Sequence, residues 1–459
     1  MFNQSLDKKN VLMLFYNDMR LHDNETLVKA AQLASSHKDG ELILVYAAFS
    51  SAIMIQENWG QAYYFDEMGH ARQQFLHESL IDLNQSLIGL GNRLFYLKPD
   101  IHSKETEIFT QLYQLIEAQQ VTDICVSATA DYAQNQAYKR LQSKYPTIRW
   151  HTSSTATLFS QLPTASLPKS FTEFRKKIES EHNLLEADND TIVDKFNCRP
   201  KMLPPMPASL ATKSLASSDS YLFDDQAFST YPQWQAQAFQ GGETNGIRHL
   251  KTYFASNAPS TYKTTRNALD EWTHSTKFSG WLANGSLSVR ALLERLRHYE
   301  RDVIANESTY WIWFELLWRE YFYWYAVTHQ QKLFLLQGIG THKPSTQYHK
   351  GRLRQWQNGE TAYPIVNACM KQLTATGYIS NRGRQLVASC LIHELGLDWR
   401  YGATYFEQHL IDYDVASNWG NWQYLAGVGA DPRGCRQFNL EKQTQQYDPN
   451  NVFINKWLS

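Results

Sequence analysis

Two patterns of apolar and polar positions divide this chain. In the front third, short apolar runs alternate with helical periodicity. Residues 11–16 form an apolar run that breaks into polar Asn17 and Asp18, and residues 42–48 form a second. Residues 25–35 place Leu27, Ala30, Ala31 and Ala34 on one helical face. Helical stretches around 61–89 and 105–119 then alternate with strand-like 93–97 and 123–127. Strand–helix alternation predicts a parallel α/β sheet, whose ligands bind beyond the carboxyl ends of the strands. From about 240 the period changes: 288–299, 308–328, 363–374 and 381–395 all repeat near 3.6 residues, and strand signals are scarce. Between the two, residues 160–235 hold Pro163, Pro168, Pro200, Pro204, Pro205 and Pro207 and a serine-rich run at 214–220. The expectation is an α/β domain at 1–160, a surface linker at 161–235 and an all-helical domain at 236–459, with no internal repeat.

Composition narrows the class. The chain has 459 residues, of which 14 are Trp, 26 Tyr and 22 Phe, and only 19% are charged. So aromatic a chain is not disordered. No run of about 18 apolar residues is present, so no membrane span is expected. The first ten residues carry no signal-peptide core, and the expected location is the cytoplasm. Cys125, Cys198, Cys369, Cys390 and Cys435 lie far apart without a CxxC pair, which disfavours structural zinc, iron–sulfur clusters and a disulfide framework. The net charge of −1 hides an asymmetry: −6 over residues 1–225, +5 over 226–459, where twelve of the 14 tryptophans fall. A mildly basic, Trp-rich half permits an anionic partner. No Walker A motif is present, and Gly89-Leu90-Gly91 and Gly427-Val428-Gly429 are lone GxG pairs that read as turns.

Four clusters in the helical half carry chemistry. Tyr262-Lys263-x-x-Arg266, followed by Ser275-Thr276-Lys277-Phe278-Ser279, supplies donors for phosphate oxygens, or is an ordinary solvated helix start. In the run 308–322, Trp311, Glu315, Trp318 and Arg319 share one helix face. A carboxylate and an arginine between indoles form either a structural ion pair or the polar wall of an aromatic pocket. In 377–385, Asn381 is placed to cap the following helix, and Arg384 and Gln385 fall on its side. In 412–424, Asp412, Asp414, Asn418, Trp419, Trp422 and Tyr424 cluster. A hard cation is the rival reading there, but interleaved indoles suit an aromatic cofactor or a base better.

These four clusters, in this order, resemble the flavin-binding domain of the photolyase/cryptochrome family. The strings at 308–322, 380–389 (SNRGRQLVAS) and 412–442 resemble the DASH-type cryptochromes in particular, and Asn17-Asp18-Met19-Arg20-x-x-Asp23-Asn24 is similar to the family's opening motif. The resemblance implies non-covalent, folded FAD in the helical domain and no catalytic metal. Tyr262, Ser275, Thr276, Lys277, Phe278 and Ser279 would hold its phosphates. Asp412 and Asp414 would meet the ribityl and ring region, with Arg384 paired to Asp412, Asn418 at flavin N5, and Arg319 and Asn381 also at the cofactor. It implies a light-driven lyase that splits cyclobutane pyrimidine dimers, preferentially in single-stranded or locally unpaired DNA. Glu315, Trp318, Asn381, Gln385 and Tyr424 would line the lesion pocket, and Arg382 would grip a phosphate. A blue-light receptor with DNA binding and little repair is the alternative. Trp422, Trp399 and Tyr348 match an electron-supply chain whose outer member is usually Trp. A folate antenna (5,10-methenyltetrahydrofolate) is implied too, with Gln136 where family members often carry an acid, so that a charge-assisted bond is lost. A monomer without membrane attachment is expected.

Overall fold

The computed structural model describes residues 9–47, 68–97, 106–181, 198–211, 239–341, 343–430 and 436–459. The serine-rich run at 214–220 and Cys435 lie outside them. Five apolar segments form one parallel sheet: β1 (Asn10–Phe15), β2 (Glu41–Tyr46), β3 (Leu94–Tyr96), β4 (Asp123–Ser127) and β5 (Arg149–Ser153), in the order β3-β2-β1-β4-β5. β1 is buried along its whole length because helices cover both faces, as its continuous apolar run anticipates. Helices Glu25–Ser35, His70–Ile88, Thr106–Ala118 and Tyr132–Lys144 supply that cover. The order in which strands are added therefore reverses between β1 and β4, the place where such folds open a ligand crevice.

Here that crevice is filled by side chains. Ser127 donates to Asp18 at 2.5 Å, and Tyr16 donates to Asp131 at 2.6 Å. Burial raises the pKa of both carboxyls. Asp131 also caps helix Tyr132–Lys144 through the backbone N–H of Ala133 and Gln134.

From Glu243 to the end the described residues are helical, apart from one isolated bridge between Gln347 and Leu397. The long axis is helix Glu307–His329, capped by Asn306 and Thr309 in a reciprocal box. It packs on helices Ala258–Thr265 and Val415–Ala426. The expected surface linker is corrected in part. Phe171–Glu181 is a helix, and Phe171, Phe174 and Ile178 are buried in the helical core. Their spacing of three and four residues is a helical apolar stripe, which outweighs the flanking prolines.

The motif around Arg20 clamps the two halves together. The fully buried Arg20 guanidinium donates to the carbonyls of His22, Asp23, Thr155 and Gly285. Glu243 accepts from the backbone of Leu21 and His22 and from His22 Nδ1, while Ser288 N donates to His22 Nε2. The ring is thus the neutral Nδ1–H tautomer, consistent with burial lowering its pKa. Asp23 completes the clamp by accepting from Ser288 and Arg290. Gly285 sits at φ +73°, and a Cβ there would lie 2.0 Å from the Asn17 carbonyl oxygen. Gly285→Ala should cost about 2 kcal/mol or more, left-handed strain plus a backbone clash. An unchanged unfolding midpoint would show that the clamp can shift.

His409 makes stability pH-dependent. Its ring stacks 4.3 Å from Tyr405, and burial, aided by the charge of Arg72, lowers its pKa to about 4. Its folded value lies below the unfolded value of about 6.5, so the stabilisation is complete above ~6.5 and is lost as pH falls toward ~4, by roughly 3 kcal/mol. Thermal midpoints across that window should fall less steeply in His409→Gln; parallel slopes would contradict the assignment.

Candidate functional site

Helix Asn381–Ser389 begins at a cap, but the cap is Ser380, whose Oγ accepts from Gly383 N at 3.1 Å. The expectation for Asn381 is thereby corrected. Asn381 is the first helical residue and is exposed, because the serine one position earlier reaches the free N–H. One turn on, Arg384 donates through Nη2 to both oxygens of Asp412, at 3.0 and 2.7 Å, and through Nε to the Ile379 carbonyl. The Asp412 side chain is only 3% exposed, so this ion pair answers an otherwise buried charge.

The next helix, Val415–Ala426, starts at Asp414, whose carboxylate accepts from Ser417 N. Asn418 is buried one turn later, and its Nδ2 donates to the Ala403 carbonyl at 2.9 Å. That bond fixes the amide and leaves Oδ1 as an acceptor. Trp422, a further turn along, packs on the backbone of helix Trp399–His409 at Gly402, where a Cβ would lie 2.1 Å from the indole. Its ring also meets Phe406 at 5.2 Å and Trp356 at 6.4 Å.

On the phosphate-binding candidate, Ser275 leaves a short helical turn, Thr276 accepts from His249 through its carbonyl, and Lys277 adopts φ +56°. A non-glycine residue held left-handed is strained, and such strain gathers at ligand-binding loops. The Lys277 ammonium lies 4.7 Å over Tyr378. Phe278 and Tyr262 are buried beside the loop, and Ser279 opens helix Ser279–Ala283. Among the described residues, buried His274 Nδ1 and Arg382 Nε have no hydrogen-bond partner. Polar atoms left so are rare unless a ligand or water answers them.

Of the lesion-pocket candidates, Glu315 and Trp318 lie on helix Glu307–His329 and Tyr424 packs against it. Glu315 forms an ion pair with Arg266, and that guanidinium lies 4.7 Å over Trp311. Trp318 meets Tyr424 edge-on at 5.8 Å, and Arg436 lies 4.5 Å over Tyr424. One face of Trp318 is taken by Phe171, stacked at 3.7 Å and 13°. Arg382 reaches Asn267 and Gln443 and lies 4.7 Å over Tyr447; burial lowers its pKa. Gln385 is partly buried on the same helix. Arg319 instead donates to the carbonyls of Ala156 and Leu282, at the junction with the front domain. The pairing of Glu315 with Arg266 and the cover of Phe171 were not read from the sequence. Arg266 stands out in the Tyr262-Lys263-x-x-Arg266 cluster as a donor for phosphate, not as a partner of Glu315; nothing local marks Phe171.

Of the electron-supply candidates, Trp422 and Trp399 are buried and Tyr348 is 61% exposed. Tyr348 meets Tyr401 at 5.5 Å, and Trp399 meets Trp419 at 5.7 Å.

Gln136 lines a cavity of about 280 Å³ beyond β4 and β5, with Tyr132, Tyr138, Lys139 and Trp150. Asp131, the acid nearest in sequence, turns away to Tyr16. Among the described residues no cluster of His, Cys, Asp and Glu could hold a metal ion, and no helix is long and apolar enough to cross a membrane.

Residues 311–459 match the FAD binding domain of DNA photolyase, and residues 11–194 match the DNA photolyase family. A cryptochrome DASH of Vibrio parahaemolyticus is 48% identical over 98% of this chain and 94% of its own length. One from Idiomarina loihiensis is 45% identical over 97% of this chain and 92% of its own. The crystal structure of a Synechocystis cryptochrome superposes with a TM-score of 0.79 at 34% identity, covering 98% of this chain and 89% of that one.

Proposed function

This chain belongs to the photolyase/cryptochrome family, among its DASH-type members, and on that premise we propose that it is a light-driven lyase for cyclobutane pyrimidine dimers. The preferred substrate is single-stranded or locally unpaired DNA. The observation that carries the reading is the Arg384–Asp412 pair beside the buried amide of Asn418. A flavin that works in its reduced, anionic form needs fixed positive charge and an amide acceptor, and these residues fit one.

When bound, FAD supplies the photochemical electron. The rest falls to the chain. The loop of Ser275, Thr276, Lys277, Phe278 and Ser279, with Tyr262, would hold the phosphates. Arg384 and Asp412 orient the ring region, Asn418 accepts from a ring N–H, and Asp414 holds the helix that carries Asn418. Glu315 and Arg266 form a charged wall: the Arg266 guanidinium can donate to the dimer carbonyls, and the Glu315 carboxylate can accept from a ring N–H of the dimer. Because Phe171 covers one face of Trp318, Trp318 serves as a rigid support for Tyr424, and the two present an aromatic corner to the lesion. Arg436, over the Tyr424 ring, and Arg382, on Asn267 next to Arg266, are the arginines that would grip phosphate. A dimer reaches such a corner only outside the base stack, and extrusion costs least where no partner strand must be given up. The proposed form is a monomer.

The cavity at Gln136 bears on the antenna. Its walls of Tyr132, Tyr138 and Trp150 suit a flat heterocycle, the Gln136 amide can hydrogen-bond a pterin, and Lys139 can meet a carboxylate. A folate would thus bind without a charge-assisted bond to its pterin, and weakly.

The test illuminates the reduced, FAD-loaded protein with oligothymidine carrying one dimer, then with the same dimer in matched duplex. The expected result is splitting in the single strand and at least about tenfold less in the duplex. Equal rates would remove the strand preference. Splitting of neither would support the receptor alternative.

A further inference from the structure

Trp419 is fully buried, three residues before Trp422 on the same helix, and the proposed function leaves it without a role. Its ring meets Trp399 edge-on at 5.7 Å and 77°, and Phe334 at 4.9 Å. Its Nε1–H donates to the hydroxyl oxygen of Tyr413 at 3.3 Å. The Arg72 guanidinium lies 4.5 Å over the Tyr413 ring. Trp399 therefore touches the Trp419 indole, as buried as itself, whereas the exposed Tyr348 packs against Tyr401.

We infer that Trp419 is a fourth electron-transfer station, a buried side branch from Trp399 that stores the oxidising equivalent left behind when the flavin is photoreduced. This rests on the proposed function, because the oxidant is light-excited, oxidised FAD. Trp422 would give up one electron to it, Trp399 would refill Trp422, and Trp419, the ring that Trp399 touches, would refill Trp399. One electron has moved inward at each step, and the vacancy ends on Trp419. No bond breaks and no proton leaves, because the indole N–H stays hydrogen-bonded to Tyr413.

Three features favour a stop at Trp419. Transfer from one indole to another changes little chemically, so a ring in contact is an accessible neighbour. The Tyr413 oxygen, by accepting the N–H, stabilises positive charge on the indole. Moving the vacancy onward to Tyr413 would place a second positive charge beneath the Arg72 guanidinium. The Tyr413 phenol pKa is also pushed well up, chiefly by burial, so the proton it would have to shed on oxidation is tightly held. With no exposure at Trp419, loss of the indole proton to water is blocked, and the stored vacancy can return to Trp399. The exposed Tyr348 is the irreversible exit, because its phenol proton can pass to solvent.

The experiment follows light-induced radicals by time-resolved electron paramagnetic resonance and transient absorption in the intact FAD-loaded protein. Tyr348→Phe closes the outward exit. In that variant a tryptophan cation radical should persist, and adding Trp419→Phe should shorten its lifetime at least about tenfold. Phenylalanine keeps the contact with Phe334, and bound flavin measured by absorbance reports an intact fold. Tyr413→Phe, in the Tyr348→Phe background, should shorten the lifetime several-fold by removing the acceptor. Equal lifetimes in Tyr348→Phe and Tyr348→Phe/Trp419→Phe, with flavin still photoreduced, would overturn the branch and leave the proposed function standing. Flavin that is bound but never photoreduced in the unaltered protein would overturn the branch, while failure of the pre-reduced protein to split the dimer would overturn the proposed function.

Discussion

Arg384→Ala should yield a colourless protein. The Asp412 carboxylate is 3% exposed and receives both of its charge-assisted bonds from Arg384. Without the guanidinium the carboxylate is left buried and unanswered, at a cost of about 3 kcal/mol, the low end for a broken buried pair because Arg384 is itself 25% exposed. The positive charge proposed to support the reduced flavin goes with it. Lysine should not restore binding, since one ammonium cannot replace both the Nη2 contact with Asp412 and the Nε contact with the Ile379 carbonyl that fixes the side chain. The double variant Arg384→Ala/Asp412→Asn separates the two effects: removing the stranded charge should recover most of the unfolding midpoint, while flavin stays absent. If Arg384→Ala remains yellow with an unchanged midpoint, the pair is neither structural nor part of the cofactor site.

Glu315→Ala should lower dimer splitting about 10- to 100-fold while bound flavin stays constant. Glu315 is one third exposed and pairs with Arg266, so its loss does little to the core. What it removes is a charged hydrogen-bonding wall, worth about 1.5–3 kcal/mol if it acts on the transition state. Glu315→Gln keeps the size and one acceptor oxygen and should retain a larger share of the activity. Arg266→Ala should mimic part of the loss, because the carboxylate then loses the partner that holds it. Splitting at the normal rate in Glu315→Ala would exclude that side chain from the lesion site.

Local chemistry made much of this protein legible before any coordinates. A buried parallel strand must be apolar on both faces, so β1, β2 and β4 stand out as continuous runs. A helix that packs on one side must repeat near 3.6 residues, so the helices at 307–329 and 364–376 are legible within two residues, whereas those at 350–358, 399–409, 440–447 and 452–458 are not. The pairing of Arg384 with Asp412 was reached through the motif's resemblance to a family, and the geometry bears it out. Caps were the weaker signal: Ser380 and Asn381 are both competent, and only the backbone path selects Ser380.

Tertiary structure alone decided which faces meet. Periodicity shows that Glu315 and Trp318 share a side of their helix, but not that Arg266, 49 residues earlier, turns toward Glu315, or that Phe171 lies on Trp318. It shows Trp419 and Trp422 one turn apart, yet gives no hint that Trp419 faces Trp399 while Trp422 faces Phe406 and Trp356. A pattern along one chain records which positions avoid water. Their partners depend on how helices cross, and crossing is settled by side chains distant in sequence that fill the same volume.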